Sequence, residues 1–224
     1  MNEKILAVIP ARKGSKGLPN KNRLDLGGIP LIEHTFKSAS NSTIDGLVVT
    51  SDDEEILRLA KNYKFLTLKR NKELCTDTSS TIDVVLNVIQ ELKILKRFKH
   101  IILLQPTSPF RSSEDINAAI DHYLKNQLKS LISVKKIDNK CLKSFVIIEE
   151  KIKPINKVEY LFSARQNLPE VYSSDGCIYI FNIKSFLQTK SFYIEPCGKF
   201  ESRPGAQLDI DTLEDLEKAR TLFQ

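Results

Sequence analysis

The fold is decided by residues 4–23, which read Lys-Ile-Leu-Ala-Val-Ile-Pro-Ala-Arg-Lys-Gly-Ser-Lys-Gly-Leu-Pro-Asn-Lys-Asn-Arg. The stretch begins with a continuous apolar run from Ile5 to Ile9, which ends at Pro10. A short uninterrupted apolar run is typical of a strand buried on both faces of a mostly parallel sheet. The chain then becomes basic, because the loop that follows carries five cations and no acid: Arg12, Lys13, Lys16, Lys21 and Arg23.

This loop has the composition of a phosphate-binding segment. Gly14 and Gly17 lie among its cations, and glycine lets backbone N–H groups come close to an anion and converge on it. A basic loop at the carboxyl end of the first strand is also where open α/β sheets bind phosphates. A solvated basic turn is the alternative, and the position directly after a buried strand favours phosphate binding.

The rest of the chain predicts one α/β domain, residues 1–224. Buried strands are predicted at 5–9, 46–50, 65–68, 100–104, 131–134 and 177–181, and helices at 31–40, 54–63 and 113–125. A longer helix follows the polar run 76–81, with apolar residues at helical spacing from Ile82 to Leu95. Strict alternation of strands and helices indicates βαβ units on a mostly parallel sheet.

Two further segments are predicted in less regular parts of the chain. Between residues 135 and 170, short strands at 145–149 and around 153–162 suggest a protruding β-rich subdomain within the single domain. Residues 208–212 are predicted to be a strand end that leads into a last helix capped by Thr212. The apolar face of that helix would consist of Leu213, Leu216, Ala219 and Leu222.

Composition narrows the class of protein. With 41% hydrophobic and 28% charged residues, the chain is globular. No apolar run approaches the ~18 residues of a membrane span, and residues 1–4 lead straight into a strand, so we expect a cytoplasmic protein with no signal peptide and no membrane partner. The net charge of +6 admits anionic partners. Nucleic acid is not an expected partner, because aromatic residues do not alternate with basic ones. Four widely spaced cysteines predict small buried thiols rather than a metal cluster.

Asp209 and Asp211 are the most informative acids. In an extended segment, residues two apart point to the same face, so both carboxylates would project together while Ile210 faces the core. Neighbouring carboxylates repel each other unless a cation lies between them, and Mg²⁺ prefers one or two carboxylates together with waters and substrate phosphates. Alternatively, Asp211 helps to cap the last helix and Asp209 is a surface acid. The phosphate loop elsewhere in the chain favours the metal.

The loop sequence resembles one family. Neither G-x-x-x-x-G-K-[ST] nor G-x-G-x-x-G occurs in the chain. Residues 7–22, Ala-Val-Ile-Pro-Ala-Arg-x-Gly-Ser-Lys-Gly-x-Pro-x-Lys-Asn, resemble the start of the acylneuraminate cytidylyltransferases, also called CMP-sialic acid synthetases. The resemblance runs from residue 4 to residue 222. It implies a Rossmann-like, three-layer nucleotidyltransferase fold, with residues 135–170 forming a dimerisation subdomain.

The resemblance also implies a nucleotide site. Its residues would be Arg12, Gly14, Ser15, Lys16, Lys21, Asn22, Arg70, Ser79, Ser80 and Thr81. Arg12 and Lys21 would contact the triphosphate and act in catalysis with Asp211. Asp209 and Asp211 would coordinate Mg²⁺ or Mn²⁺ on the triphosphate. The run 77–81 resembles the segment that reads the cytosine edge, and a helix N-cap cluster is compatible with the same residues.

Six residues match the family's sugar-binding positions: Gln105, Lys143, Arg165, Asp175, Tyr179 and Phe192. Gln105 heads the motif Leu-Gln-Pro-Thr-Ser-Pro-x-Arg and would contact the sugar acid, whereas Lys143 and Arg165 would reach the active site of a partner subunit. The two aromatic residues would shape the sugar pocket, with ordinary core packing as the alternative. Asp175 stands where sialic-acid enzymes usually carry Asn, and it would add a negative charge near the sugar.

The implied activity is the CTP-dependent activation of a nine-carbon 2-keto sugar acid, of N-acetylneuraminate or legionaminate type, to its CMP-sugar with release of pyrophosphate. The partners would be CTP, the sugar acid and a second copy of the chain in a homodimer. The segment around Asp175 looks less like the pseudaminic-acid branch of the family. The sequence identifies no general base. The alternatives are a nucleotidyltransferase for a different sugar or nucleotide, and a non-catalytic nucleotide- or nucleic-acid-binding relative.

Overall fold

The computed structural model describes residues 3–14, 17–76 and 78–223. The strands are β1 (Ile5–Pro10), β2 (Asp25–Leu26), β3 (Ile29–Pro30), β4 (Gly46–Ser51), β5 (Leu66–Lys69), β6 (His100–Leu103), β7 (Ser130–Ile137), β8 (Phe145–Ile148), β9 (Lys151–Pro154), β10 (Val171–Asn182) and β11 (Cys197–Glu201). The helices are α1 (Leu31–Ser40), α2 (Glu54–Asn62), α3 (Thr81–Glu91), α4 (Ser113–Lys125), α5 (Val158–Phe162), α6 (Ile183–Thr189) and α7 (Leu213–Leu222).

A mostly parallel sheet forms the centre of the fold. Within the described residues, seven strands pair in the order β11-β7-β10-β6-β1-β4-β5. β1 pairs in parallel with β4 and β6, β4 with β5, and β11 with β7, whereas β10 runs antiparallel to both of its neighbours. The carboxyl ends of β1, β4 and β6 therefore meet at one edge of the sheet. The predicted fold class is confirmed.

Helices cover both faces of this sheet, which gives three layers. On β1, Ile5, Ala7 and Ile9 belong to the buried cluster under α1, α2 and α4. The alternate residues Leu6 and Val8 belong to the opposite cluster, under α3 and α6. Because successive side chains of a strand point to opposite faces, the uninterrupted apolar run is explained by burial on both sides.

A third, smaller cluster joins the basic loop to the end of the chain. It consists of Leu18, Leu26, Leu31, Ile210, Leu216 and Ala219. A Cβ on Gly17 would lie only 2.7 Å from the backbone oxygen of Asp211, a distance that real Cβ atoms essentially never reach. The glycine therefore permits the loop to contact the segment that carries the two predicted metal ligands.

Helices α1 and α4 have the predicted bounds. The predictions for the end of α3, for the apolar face of α7 and for a strand at residues 208–212 were wrong. α3 ends at Glu91, because Lys93 adopts a left-handed conformation (φ 46°) and Leu95 lies beyond it, half exposed. On α7, Leu216 and Ala219 are buried, but the helix lies at the rim of the small cluster, so Leu213 and Leu222 are exposed. Residues 208–211 join no sheet; the Ile210 N–H donates to the Thr107 oxygen instead (2.9 Å).

The segment between β7 and β10 differs from the prediction in its second half. β8 and β9 form an antiparallel hairpin, but residues 158–162 form helix α5 rather than a strand. One turn of helix places Val158 and Phe162 on the same side, and both side chains are exposed. Helix α6 and the edge strand β11 were not predicted from the sequence, because the mixed polarity of both segments gives no clear pattern.

The cysteines differ in burial, and the helices can also be compared with the dimensions of a membrane. Cys177 is buried, whereas Cys75, Cys141 and Cys197 are partly exposed, so the expectation of buried thiols holds for one residue of four. Among residues 3–14, 17–76 and 78–223, no helix combines the length and the apolar character needed to cross a lipid bilayer.

Candidate active site

A cleft opens at the edge of the sheet where β1 and β6 end. Its lining residues are Pro10, Arg12, Lys21, Asn22, Arg70, Leu74, Thr76, Ser79, Thr81, Val84, Gln105, Pro106 and Thr107. The cleft thus brings together most of the predicted nucleotide residues, three of them cationic, with the predicted sugar ligand Gln105. Of the other residues predicted for the nucleotide, Gly14 lies on the same loop with open space around it, and Ser15 and Lys16 lie outside the described residues.

Hydrogen bonds hold the basic loop against the end of β4. The Ala11 N–H donates to the Thr50 oxygen (3.0 Å), and the Lys13 N–H donates to Asp52 Oδ1 (2.8 Å). Asn22, which is almost fully buried, donates from Nδ2 to the oxygen of Arg12 (3.0 Å). The contact of Asp52 with the loop was not predicted, because no local pattern reveals a contact across 39 residues.

Asp53 and Arg23 fix the far end of this loop. Asp53 caps α2, accepting a hydrogen bond from the Glu55 N–H (3.0 Å). Its second oxygen lies 3.2 Å from Arg23 Nε. Arg23 is therefore engaged in holding the loop, and the cations that face the cleft are Arg12, Lys21 and Arg70.

Arg70 forms part of the cleft wall and is buried. Its Nη2 donates to the Thr50 oxygen (3.0 Å), and its backbone N–H donates to the Ser51 oxygen (2.8 Å). Within the described residues, its buried Nε makes no hydrogen bond. Burial lowers the pKa of the guanidinium. A buried cation of this kind stabilises an anion that enters the cleft, because low dielectric strengthens the attraction.

The hydroxyl run before α3 forms both a turn and a helix cap. Ser79 Oγ lies 2.8 Å from Thr76 Oγ1 and donates to the oxygen of Glu73 (3.0 Å). Ser80 is the N-cap of α3 and accepts a hydrogen bond from the Asp83 N–H (3.1 Å). Ser79 and Thr81 line the cleft and Ser80 does not. The capping alternative is therefore correct for Ser80, and the contact of this run with a base remains a prediction. Asp77 lies outside the described residues.

The two aspartates lie beside the cleft, next to the basic loop, and neither belongs to the cleft lining. Ile210 between them is fully buried, as the period of an extended segment predicts. Asp211 Oδ1 is 2.6 Å from Lys21 Nζ. It does not cap α7, because Thr212 and Asp215 form the capping box there.

Asp209 carries an unused buried oxygen. Burial raises the pKa of its carboxyl, Thr107 opposes the increase, and the charge of Asp211 adds to it. Its Oδ1 makes no hydrogen bond within the described residues. An orphaned carboxylate oxygen beside a second carboxylate is the donor set that Mg²⁺ accepts together with substrate phosphates. Both aspartates thus fit the predicted metal.

Gln105, Gly176 and Asp209 meet beside the cleft, and Gln105 also lines it. Gly176 has φ +76°, and a Cβ on it would lie 3.5 Å from both Gln105 Oε1 and Asp209 Oδ2. Three distant parts of the chain thus converge on one point. Gly176 was missed as a site residue, although its place beside the unusual Asp175 was a usable signal.

The structure places the remaining predicted sugar ligands away from the cleft lining. Asp175 is buried, and its Oδ1 accepts hydrogen bonds from Ser133 Oγ (2.5 Å) and the Cys177 N–H (3.0 Å). The expectation of a charge facing the sugar is therefore corrected to a carboxylate directed into the sheet. Tyr179 and Phe192 pack together, with ring centroids 5.5 Å apart, in the cluster under α6, as the core-packing alternative requires.

Lys143 and Arg165 belong to the segment around α5. Lys143 Nζ donates to the Ser163 oxygen (2.5 Å), and Arg165 Nη2 lies 3.4 Å from Asp138 Oδ2. Neither residue lines the cleft of its own chain. Their predicted role across a subunit interface remains a prediction.

Fold and site together define a nucleotidyltransferase, since a cationic loop lines a cleft at the carboxyl end of a mostly parallel sheet and contacts an acidic pair beside that cleft. The family model described as Cytidylyltransferase matches residues 6–224, and the chain belongs to that family. It is 38% identical to the CMP-N,N'-diacetyllegionaminic acid synthase of Legionella pneumophila, over 99% of this chain and 97% of the relative.

Two other proteins are similar to this chain. The chain is 31% identical to the pseudaminic acid cytidylyltransferase of Campylobacter jejuni, again over 99% of this chain and 97% of the relative. Among solved structures, a CMP:2-keto-3-deoxy-manno-octonic acid synthetase complexed with CTP superposes with a TM-score of 0.71, over 98% of both chains at 20% identity. This last likeness supports the fold alone.

Proposed function

We propose that this protein uses CTP to activate a nine-carbon 2-keto sugar acid of the legionaminate or N-acetylneuraminate type. The observation that carries the proposal is the contact between the cationic loop that lines the cleft and the acidic pair beside it, with Lys21 Nζ 2.6 Å from Asp211 Oδ1. The sugar class is supported by the loop motif and by the 38% identity to a legionaminic acid synthase. Pseudaminic acid is the second candidate, because of the 31% identity to a pseudaminic acid enzyme.

The reaction is a displacement at phosphorus. The anomeric hydroxyl oxygen of the sugar acid forms a bond to the α-phosphorus of CTP, and the bond from that phosphorus to the oxygen bridging the β-phosphorus breaks. Pyrophosphate leaves with the bridging oxygen, and the hydroxyl proton passes to a base. Positioning and charge neutralisation supply most of the rate in such displacements.

The chain's own cations perform the neutralisation. Arg12 and Lys21 extend from the loop, and Arg70 supports them from the buried wall. In the free protein, Lys21 is held by Asp211 and thus kept in the cleft. When the triphosphate binds, Lys21 transfers its hydrogen bond from the aspartate to a phosphate oxygen. Asp211 is then free to act on the acceptor side.

Asp209 and Asp211 would hold Mg²⁺ or Mn²⁺. The orphaned Oδ1 of Asp209 and the exposed carboxylate of Asp211 support this assignment. The bound ion supplies charge neutralisation for the phosphates. The residues themselves orient the site: Ile210 anchors the pair, and Gln105 and Gly176 form the adjoining wall on which the sugar acid binds.

The active unit is a homodimer in this proposal, with a second copy covering the segment 145–162. This segment exposes an apolar surface in the single chain, with Ile147 78% and Phe162 85% exposed. Contiguous exposed apolar patches mark interaction sites. A second copy is the occupant because Lys143 and Arg165, which are predicted to reach a partner's active site, flank this segment and do not line the cleft of their own chain.

Pyrophosphate release with CTP, Mg²⁺ and a panel of legionaminic, N-acetylneuraminic and pseudaminic acids tests the function. Turnover with one sugar is expected, together with loss of turnover in Asp211→Ala. Asp121→Ala is the matched control, since Asp121 is an exposed aspartate on α4. Silence across the panel, or equal turnover in Asp211→Ala and wild type, would contradict the proposal.

A further inference from the structure

Arg111 is a buried cation directly behind Gln105 and Gly176. These two residues form the surface on which the sugar acid is proposed to bind, here called the acceptor wall. Its side chain is among the largest that the fold fully buries, with 2% of the residue exposed. One guanidinium nitrogen, Nη1, donates to the oxygens of Gln105 (3.2 Å) and Cys177 (2.7 Å), and Nη2 donates to Thr35 Oγ1 (2.9 Å). The planar guanidinium therefore joins the end of β6 to the middle of β10.

The part of β10 that Arg111 contacts is irregular. Pairing between β10 and β7 shifts between Ser174 and Tyr179, so residues 175–178 form a bulge. Bulges are common next to active sites, where they redirect the chain. Gly176 lies inside this bulge at φ +76°, a conformation that favours glycine.

Asp175 and Ser133 hold the same bulge from the β7 side. Ser133 Oγ donates to Asp175 Oδ1 (2.5 Å) and accepts a hydrogen bond from the Ile178 N–H (2.7 Å). The second oxygen of Asp175 is buried and makes no hydrogen bond within the described residues. Burial lowers the pKa of the Arg111 guanidinium, and the nearby charges of Asp115 and Asp175 oppose this lowering.

These contacts determine where the acceptor wall lies. Arg111 holds the Gln105 backbone on one side and the bulge on the other, and Gly176 in that bulge faces both Gln105 Oε1 and Asp209 Oδ2. Burying a guanidinium is costly. The Nε of Arg111 makes no hydrogen bond within the described residues, so its contacts to the surrounding oxygens are made by the two Nη groups. An apolar side chain could fill the same volume, but it could not join three oxygen acceptors from the loop after β6, from β10 and from α1.

We propose that Arg111 and Asp175 are positioning residues for the acceptor side of the reaction: from behind the wall they hold Gln105 and Gly176 in place beside Asp209. Neither residue touches the substrate. The inference rests on the proposed function, which assigns the sugar acid to the surface formed by Gln105 and Gly176. It gives Asp175 a structural role toward the sugar in place of direct contact.

The test compares Arg111→Lys, Arg111→Met and Asp175→Asn with Tyr123→Phe. The Tyr123 hydroxyl is buried and bonds His100 Nδ1 (2.8 Å) at the opposite end of β6, so its removal lowers stability without touching the cleft. At a temperature well below every melting transition, Arg111→Lys should raise KM for the sugar acid about tenfold, with KM for CTP changed by less than about twofold. Asp175→Asn should raise KM for the sugar acid by a smaller factor, again with little change in KM for CTP. Tyr123→Phe should leave both KM values unchanged.

A double-mutant cycle with Gln105→Ala separates positioning from general stability. If Arg111 acts through Gln105, Arg111→Lys should add less than about twofold to the loss already caused by Gln105→Ala. Multiplicative losses, or unchanged kinetic constants in Arg111→Lys, would overturn the proposal. If Arg111→Met fails to fold, Arg111→Lys and Asp175→Asn still test the positioning role.

Hydrogen exchange gives a readout that is independent of turnover. The amides of residues 104–108 and 174–178 should exchange at least about tenfold faster in Arg111→Lys than in wild type and in Tyr123→Phe. Equal exchange in all three proteins would overturn the positioning role. Failure of the proposed function shows itself differently, as a wild-type protein that turns over no sugar acid while this difference in exchange persists.

Discussion

Lys21 Nζ lies 2.6 Å from Asp211 Oδ1, across 190 residues of sequence. The lysine side chain is only 11% exposed, whereas that of the aspartate is 67% exposed. The lysine is therefore held in the cleft, and the aspartate retains an oxygen that faces solvent. This one contact links the cationic loop to the acidic pair and sets the distance between the two halves of the site.

Gly17 permits this contact, because a Cβ there would lie 2.7 Å from the Asp211 oxygen. We expect Gly17→Ala to displace the loop from the acidic segment and to lower kcat/KM about 10–100-fold, since small misplacements of reacting groups are costly. Steady-state kinetics measure this loss. Gly205→Ala is the control, because a Cβ on Gly205 meets open space. Equal activity of the Gly17 and Gly205 variants would contradict the prediction.

Arg70 should show a trade-off between stability and binding. Its guanidinium is buried, and its Nε makes no hydrogen bond within the described part of the chain, so replacement by an apolar residue relieves an unfavourable burial. We expect Arg70→Met to melt no lower than wild type without ligand, while the Kd for CTP rises about 10–100-fold, or ~1.4–2.8 kcal/mol. Calorimetry gives both values. Arg58→Met, at an exposed ion pair on α2, should change neither. A large drop in melting temperature with unchanged CTP affinity would exclude this role.

Asp115 should make stability depend on pH. Burial alone would raise the pKa of its carboxyl, but the bonds to Arg203 (2.7 and 2.8 Å) and to the Ser112 N–H outweigh burial and lower it. A lowered folded-state pKa contributes stability above the unfolded-state pKa of 3.8 and loses it as pH falls through the folded value. Asp115→Asn should therefore cost about 1–3 kcal/mol at pH 7.

Thermal unfolding from pH 7 down to pH ~3 measures this dependence. The difference between Asp115→Asn and wild type should shrink as the wild-type carboxyl protonates. Lys136→Met, at an exposed ion pair with Glu170, should show a small effect at every pH. A difference for Asp115→Asn that stays constant across the range would show that charge has no part in it.

The exposed segment 145–162 should control assembly. Replacing Phe162, which is 85% exposed, by Glu should raise the dimer dissociation constant at least about tenfold, with a parallel loss of turnover if Lys143 and Arg165 act across the interface. Sedimentation velocity across protein concentrations measures this shift. Leu95→Glu, at an equally apolar but isolated exposed position, is the control. A wild-type monomer with full activity would exclude the dimer.

Local patterns sufficed for the elements whose ends have strong signals. β1 was predictable from its apolar run, and α1 and α4 from Pro30 and from the Ser112 cap. The orientation of Ile210 and its two neighbours followed from the period of an extended chain. These features depend on a few adjacent residues, and the sequence contains all of them.

Features that depend on distant partners could not be predicted in this way. The bulge at Gly176 arises from a register shift set by β7 and stabilised by Arg111, 65 residues away in sequence from that glycine. The carboxylate of Asp175 points into the sheet because Ser133 on β7 binds it there. The edge strand β11 is short and mixed in polarity. In each case the deciding contact lies on another element.

The central claim, that a sugar acid attacks the α-phosphorus of CTP, is tested most directly by the phosphorus NMR spectrum of a reaction mixture containing the protein, CTP, Mg²⁺ and the sugar acid that gives turnover. The predicted result is that the three CTP signals disappear together, while pyrophosphate and a single new phosphodiester signal appear in equal amounts. The new signal should be absent when the sugar acid is omitted. Release of inorganic phosphate with CDP, or pyrophosphate formed equally well without the sugar, would contradict the claim.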